Sequence, residues 1–555
     1  MNQVLSQVQA SRYQAAMQLL MAGKLEAAFD IAHTLARELP GAADTQQLLG
    51  MCLGERGFPE EARFAFERAL SLVPGNATVR KNFATFLIKQ GKLFRSRQKF
   101  DASIDCLRRA VTIAPEPAFA WAELGMALRL GGDIEGALSA FEKAKLLGMD
   151  TLALRNAVNG TLQDAGRLDA ALNGARKLVN EHPDFVAGQE TLANILWENR
   201  RRLSPEEDPF DKFRLAVEQQ PGNTGLHMRF ARMLLSVNRA EEVLAVVYPL
   251  RRLEPDNPVL AWYFAEALEK TGEVDQASRL YAGIAPKWNR NTEFLNAYTR
   301  HAFRRKDIDL ASDCASRAVE LAPGNQESWA NLGLIWRLQN DAREYWLFDY
   351  ENLIGYTEIL PPSVCSDCDG RFGALQKKLE LMHSVSGEPV NQSVRGGSQT
   401  AGRLFGRNDP VLDELWLALK SAVDKWLATL PQDEKHPFLS RNLNSVRQVG
   451  SWSVQLASAG RHSNHIHNQG WMSSAFYVSL PEALCVGNEN HAGWIQFGAP
   501  LESLGLELPP RRVIKPVPGH LALFPSFVWH GTVPFTDKLP RLTVAFDMQP
   551  AAQGS

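Results

Sequence analysis

The sequence predicts two architectures in one chain: an all-α repeat superhelix over residues 1–345 and a mainly β domain of the jelly-roll kind over 441–555. Residues 346–440 read as a junction and helical lead-in between them. Three observations carry this. Helix-ending prolines recur at intervals near multiples of 34 residues through the first half. Short alternating segments rich in β-branched and aromatic residues replace the helical period after Asn442. Seven of the 12 histidines crowd into the part after residue 430.

At 555 residues the chain exceeds one ordinary core. With 45% hydrophobic residues, 22% charged residues and a net charge of −2, the composition is that of a globular protein. The balance argues against nucleic acid as the main partner. No uninterrupted apolar run reaches the length of a membrane span, and the first thirty residues lack the apolar core of a secretory signal. The six cysteines are mostly scattered singly, which is no disulfide framework and leads us to expect a cytoplasmic protein. Cys365-Ser366-Asp367-Cys368 lacks the second such pair that a zinc ribbon requires, and reads as a loop.

The prolines stand at Pro40, Pro74, Pro115, Pro183, Pro221, Pro255 and Pro323, spaced by 34, 41, 68, 38, 34 and 68 residues. Turn residues follow several of them, as in Pro74-Gly75-Asn76, Pro221-Gly222-Asn223, Pro255-Asp256-Asn257 and Pro323-Gly324-Asn325. The interior of each unit repeats as well. Trp121 opens one unit, in which Leu124, Gly125, Ala137, Phe141 and Ala144 occupy the slots held by Leu49, Gly50, Ala62, Phe66 and Ala69 in an earlier unit. Trp329, Leu332 and Gly333 open a later one. Small residues let the two helices of a unit approach, and large ones fill the groove of the next. The period and pattern resemble tetratricopeptide repeats, in eight or nine units over about residues 10–345. The longer intervals place insertions near Lys92–Lys99 and Arg200–Glu207. The resemblance implies a groove that binds a protein or peptide segment. Most single aromatic residues in it are core.

The helical period fades after Glu344. Asn391–Thr400 reads as a polar loop, and a helix resumes over Pro410–Leu430, where Leu412, Leu415, Leu419 and Val423 recur at helical spacing. Strands are expected at Ser451–Ala457, Ser473–Leu480, Gly493–Phe497, Arg512–Val517, His520–Phe524 and Leu542–Met548. Six short strands in so few residues suggest a barrel or sandwich.

His465 and His467 lie two residues apart, so on an extended segment both rings point to one side. His530 follows an apolar strand. Three imidazoles can hold one face of an octahedral metal and leave the opposite positions open, the geometry of non-haem iron oxygenases. Any one of these histidines alone would read as a surface or core residue.

Further motifs surround this trio: Ser451-Trp452-Ser453-Val454-Gln455, Gly470-Trp471, Tyr477-Val478-Ser479-Leu480-Pro481, Pro518-Gly519, Leu523-Phe524-Pro525-Ser526, His530-Gly531-Thr532 and Arg541-x-Thr543. Together they resemble a family of 2-oxoglutarate/iron(II) oxygenases over about residues 345–550. The resemblance implies a double-stranded β-helix, with Fe(II) held by His465, His467 and His530. It further implies that Arg541 pairs with the distal carboxylate of the cosubstrate 2-oxoglutarate, a planar fork being suited to that group. Thr543, two residues along the same strand, would donate its hydroxyl there. Tyr477 is a further contact and Gln455 a weaker one. The expected function is hydroxylation of a protein or peptide substrate recruited by the repeats, with neither nucleic acid nor membrane as partner.

One departure stands out. The usual facial set is His-x-Asp/Glu…His, and here His467 takes the carboxylate position. Three neutral imidazoles leave the full +2 charge on the ion, and zinc or nickel would compete for the site. Glu489 or Asp547 could bring a carboxylate from elsewhere, although neither has the spacing, and His462 is an additional candidate ligand. Two alternative readings follow. One is a repeat scaffold with a non-catalytic metal-binding barrel; the other is a three-histidine dioxygenase that does not use 2-oxoglutarate.

Overall fold

The computed structural model describes residues 3–97, 99–200, 203–204, 206–368, 370–383, 394–400, 402–407, 409–443, 445–481, 484 and 490–551. Two compact units divide the chain, Met1–Thr161 and Leu162–Ser555. The division falls inside the helical part.

Helices run from α1 (Gln7–Met21) to α19 (Gln326–Leu338), and among the described residues the first eighteen follow one another as nine consecutive helix pairs. The turn chemistry read from the sequence is what starts many of them. In each Pro-x-Asn turn the asparagine caps the next helix. Asn76 Oδ1 accepts from Thr78 and Val79 N–H at 2.9 and 3.1 Å, and Asn325 Oδ1 accepts from Ser328 N–H at 2.9 Å. The proline carbonyl is met from within the following helix. Trp121 Nε1 donates to Pro115 O at 2.9 Å, Gln189 Nε2 to Pro183 O at 3.1 Å and Trp329 Nε1 to Pro323 O at 2.8 Å. A six-residue step from proline to donor thus recurs in three units.

The small–large pairing is also literal. A Cβ added at Gly125 would meet the Phe141 ring at 2.5 Å, and one at Gly50 the Phe66 ring at 2.9 Å. In the first unit of the structure Phe66, Phe83, Leu87, Leu107, Leu124 and Phe141 join one buried core. The insertion expected near Lys92–Lys99 lengthens α5 (Ala77–Ser96) to 20 residues. The one near Arg200–Glu207 precedes the short α12 (Asp211–Gln219); its Arg201, Arg202 and Pro205 lie outside the described residues.

In the second unit the last repeats lead, through α20 (Arg343–Phe348), into β1 (Gly355–Glu358), α21 (Gly373–His383), β2 (Val394–Gln399) and α22 (Pro410–Thr429). Then come β3 (Val446–His462), β4 (Met472–Ser479), β5 (Ile495–Phe497), β6 (Arg512–Ile514), β7 (His520–Pro525), β8 (His530–Thr532) and β9 (Arg541–Pro550). They form two antiparallel sheets, ordered β1-β7-β4-β9-β3-β2 and β6-β5-β8. Each of the six expected strands overlaps an observed one. The loop expected at Asn391–Thr400 is corrected: Asn391, Gln392 and Ser393 lie outside the described residues, and the rest is largely strand β2. Its polar composition suits an edge strand, and Val394 is fully buried. Gly397 allows the close approach, because a Cβ there would lie 2.4 Å from Gln455 O.

One apolar core runs from the final repeats into the sheets, joining Phe303, Ile335 and Trp336 to Phe348, Leu415, Trp471, Phe524 and Trp529. Polar contacts reinforce it. Arg337 donates to Gly498 O at 2.9 Å and Pro509 O at 2.6 Å, while Arg511 grips the buried carboxylate of Glu344 with two bonds of 2.9 and 2.7 Å. Cys365 is buried and Cys368 exposed, and the five described cysteines are free thiols.

Two outcomes test these packing arguments. Phe141→Ala should destabilise the helical array by about 3–5 kcal/mol, read as a shift of the urea midpoint followed by circular dichroism. His383 ties α21 to the sheet through Ser398 Oγ and Ser453 Oγ, both at 2.9 Å, and burial pushes its pKa down to about 4. Above the unfolded value of about 6.5 neither state binds this proton; between there and about 4 only the unfolded state does. Stability should therefore fall by up to about 3 kcal/mol as pH drops through that window, and His383→Gln should flatten the loss.

Candidate metal and oxoacid site

The register of β9 builds the site. Gly450 pairs with Asp547, Trp452 with Ala545 and Val454 with Thr543 across β3, while β4 sets Tyr477 opposite Thr543 and Ser473 opposite Asp547. Period-two alternation then turns Arg541, Thr543, Ala545 and Asp547 into one cavity of about 870 Å³. His462, His465, His467 and His530 line the same cavity.

The His-x-His segment follows β3 as extended chain, outside any strand. His465 exchanges two backbone hydrogen bonds with His530, at 2.9 and 3.0 Å, and His467 N–H donates to Ser526 O at 3.0 Å. His530 begins β8. The residue after it has to be small, since a Cβ at Gly531 would stand 2.2 Å from Asn464 Oδ1. One candidate ligand atom from each of His465, His467 and His530 lies within 4.8 Å of the other two. Ring centroids are 4.3 to 5.1 Å apart.

Hydrogen bonds choose the tautomers. His465 Nδ1 faces Ser463 O at 2.8 Å, His530 Nδ1 faces Val528 O at 2.9 Å, and His467 Nδ1 faces both Asp547 oxygens at 2.7 and 2.8 Å. All three partners are acceptors, so each Nδ1 carries the proton and each Nε2 offers a lone pair. Yet His465 Nε2 and His467 Nε2 stand only 3.0 Å apart. Two lone pairs at that distance repel unless a cation sits between them. Two nitrogens at about 2.1 Å from one ion and at right angles to it are about 3 Å apart. The donor set fits a divalent metal. Burial also holds His465 and His530 well below the ordinary imidazole pKa, which keeps them neutral.

Asp547 completes the arrangement from behind. It accepts from Ser473 Oγ at 2.7 Å, and Ser473 Oγ lies 2.8 Å from Ser526 Oγ. The carboxylate considered as a ligand in the sequence is instead hydrogen-bonded to His467, one of the three candidate ligands. His462 stacks 5.7 Å from the His465 ring and stays outside the group of three. Glu489 lies outside the described residues.

Arg541 is 2% exposed, and among the described residues no carboxylate pairs with it. Its Cζ sits 5.1 Å from the centroid of the buried Tyr477 ring. Arg541 Nε lacks a hydrogen-bond partner among the described residues, and the Tyr477 hydroxyl lies beside the guanidinium. Burying a guanidinium without an anion is costly. Thr543 Oγ1 makes one long bond, 3.4 Å to Val454 O. These groups fit a carboxylate of an oxoacid. Gln455 is not among the cavity residues, although Trp452 and Val454, just before it on β3, are. A larger hollow of about 1030 Å³ between β1 and α22 has no imidazole in its lining.

Comparisons with known proteins agree with this chemistry. Residues 450–547 match the family described as "Putative 2OG-Fe(II) oxygenase", and residues 88–149 match "Tetratricopeptide repeat". The chain therefore joins a tetratricopeptide-repeat region to a domain of that oxygenase family. No curated protein matches it. Among solved structures, "MamA 41-end from Desulfovibrio magneticus RS-1" is 18% identical, covering 33% of this chain and 99% of that one at a TM-score of 0.27. "MamA AMB-1" is 21% identical, covering 32% and 92%, at 0.26. Overlays at such scores carry no argument about fold or function.

Asp547→Asn keeps the shape and removes the charge that fixes His467. It should weaken divalent-metal affinity by about 10- to 100-fold in competition titration against a chromophoric chelator, with the circular dichroism spectrum unchanged.

Proposed function

We propose that this chain is a 2-oxoglutarate- and Fe(II)-dependent oxygenase that hydroxylates a side chain of a protein or peptide substrate recruited by its repeats. The observation that carries this reading is the meeting, in one cavity, of three convergent imidazoles and a buried Arg541 that no described carboxylate pairs. His465, His467 and His530 hold the metal. Arg541 takes the distal carboxylate of 2-oxoglutarate as a planar fork, with the Thr543 hydroxyl and Tyr477 Oη as further donors. Ile495, Leu501, Phe524 and Trp529 give the cavity apolar walls that limit water. The bound ion and oxoacid would supply the oxidising power, in the overall balance R–H + O2 + 2-oxoglutarate giving R–OH + succinate + CO2.

A group of three histidines with no carboxylate among the described residues favours a second reading, a three-histidine dioxygenase that uses no oxoacid. Arg541 separates the two. In the first, Arg541→Ala should weaken 2-oxoglutarate binding by about 10- to 100-fold while sparing metal affinity. In the second, oxygen consumption is indifferent to both the oxoacid and the substitution. Anaerobic titration with Fe(II) and 2-oxoglutarate should give a visible charge-transfer band. No band and no succinate would leave the scaffold reading. Free thiols suit a reducing, cytoplasmic setting, and among the described residues no helix is long and apolar enough to cross a membrane.

A further inference from the structure

The larger hollow, of about 1030 Å³, lies away from the metal, and its lining shares no residue with the histidine cavity. One wall is β1 with its flanks, residues 354–360. The other is a face of α22 made by Ala418, Ser421, Ala422, Lys425, Trp426 and Thr429. Those six positions follow the three- and four-residue steps of one helical stripe. The opposite stripe, Leu412, Leu415, Leu419, Val423 and Leu427, is spent on the core. The two walls meet where Trp426 packs on Gly355, since a Cβ there would stand 2.5 Å from the indole nitrogen.

The strand wall is an open edge. β1 is the outermost strand of its sheet and pairs with β7 alone. Ile359 N–H donates to Gly519 O at 2.8 Å, in step with the register that sets Gly355 opposite Leu523 and Thr357 opposite Leu521. Bonding in an antiparallel pair alternates, so Gly355, Thr357 and Ile359 bond across to β7. The N–H and C=O groups of Tyr356 and Glu358 then turn outward, toward the hollow that both residues line. Among the described residues no other backbone group meets them. They form two donor–acceptor sets about 7 Å apart, the two-residue repeat of an extended chain. Neither a small metabolite nor a lipid tail offers that alternation.

Size and polarity agree. Residues 354–360 run for about 20 Å as extended chain, and Ala418 to Thr429 for about 16 Å as helix. Each spans about five or six residues of an added strand. Ala418, Ser421 and Ala422 keep the helical wall low, which leaves room for the side chains of that strand. Charge selects little: Glu351 and Lys425 offset each other, and Glu358 is paired with Arg371 at 2.9 Å. Leu360, 76% exposed, adds apolar surface at one end. Pro361 and Pro362 follow it and keep the edge short, a guard against open-ended sheet stacking.

We propose that this groove binds an extended segment of a partner protein, which adds a seventh strand to the six-stranded sheet. Its backbone pairs with Tyr356 and Glu358, and every second side chain, apolar and of moderate size, lies against Ala418, Ser421 and Ala422. The site needs neither metal nor oxoacid and stands apart from the oxygenase reading.

The test uses the full-length protein without added metal and a phage-displayed library of random dodecapeptides. Counter-selection against a Glu358→Pro/Ser421→Trp double variant, its fold checked by circular dichroism, removes peptides held by the repeats. Glu358→Pro deletes one outward N–H and spares the bonds to β7, while Ser421→Trp fills the helix side. Surviving sequences should carry apolar residues at every second position. Synthesised with a fluorescent label and followed by anisotropy, they should bind each single variant about tenfold more weakly than wild type. Methylating the peptide amides one at a time should weaken binding at alternate positions only. No surviving sequence, affinities that both substitutions leave unchanged, or methylation effects without that alternation would overturn the docking site. Dimers in sedimentation equilibrium that Glu358→Pro dissolves would overturn it too, because the occupant would then be a second copy of this chain. If the variants misfold, the alternation read on wild type decides.

Discussion

Everything in the site depends on how β9 is paired. It lies between β3 and β4, and its register against both decides which of its side chains face inward. A slip by one residue would send Arg541, Thr543 and Asp547 out of the cavity together and bring Leu542, Val544 and Phe546 in. The apolar set is buried on the other side of the sheet, where Trp416 meets Phe546 edge-on at 5.4 Å. Packing thus fixes chemistry: the hydrophobic face chooses the register, and the register delivers the polar face.

That polar face is asymmetric. Arg541 and Asp547 are six residues apart, about 20 Å along a strand. The cation sits at the end near Tyr477, and the anion at the end where His467 and Ser473 converge. An unpaired buried arginine and a carboxylate spent on orienting an imidazole are each unfavourable to folding in isolation. Their separation along one rigid strand keeps them from neutralising each other, so Asp547 holds His467 while Arg541 faces the cavity without a described carboxylate beside it.

Much of this was legible in the sequence for physical reasons. The 34-residue step, the Pro-x-Asn caps and the Gly125–Phe141 pair are local or nearly local, and the His465/His467 spacing needs only an extended chain to make sense. What was illegible depended on distant pairing. Val394–Gln399 looks like a loop because an edge strand tolerates Arg, Gly and Ser. Asp547 was noticed but lacked a ligand's spacing, since its partner is 80 positions away across a sheet. Gln455 sits one residue from the cavity-lining Val454, a distinction that only the face of the strand decides. The glycine after His530 was the one local hint of crowding there.

The continuous core between the last repeats and the sheets has a practical corollary. Phe348, Trp336 and Trp529 belong to one hydrophobic body, and Arg337 and Glu344 are buried against residues near 500 and 510. Cutting the gene near residue 345 would strip that body of one side and present a broad greasy surface to water. A cloned fragment beginning there would be insoluble, whereas one that keeps α17 (Thr292–Arg304) through α19 would retain its natural cover.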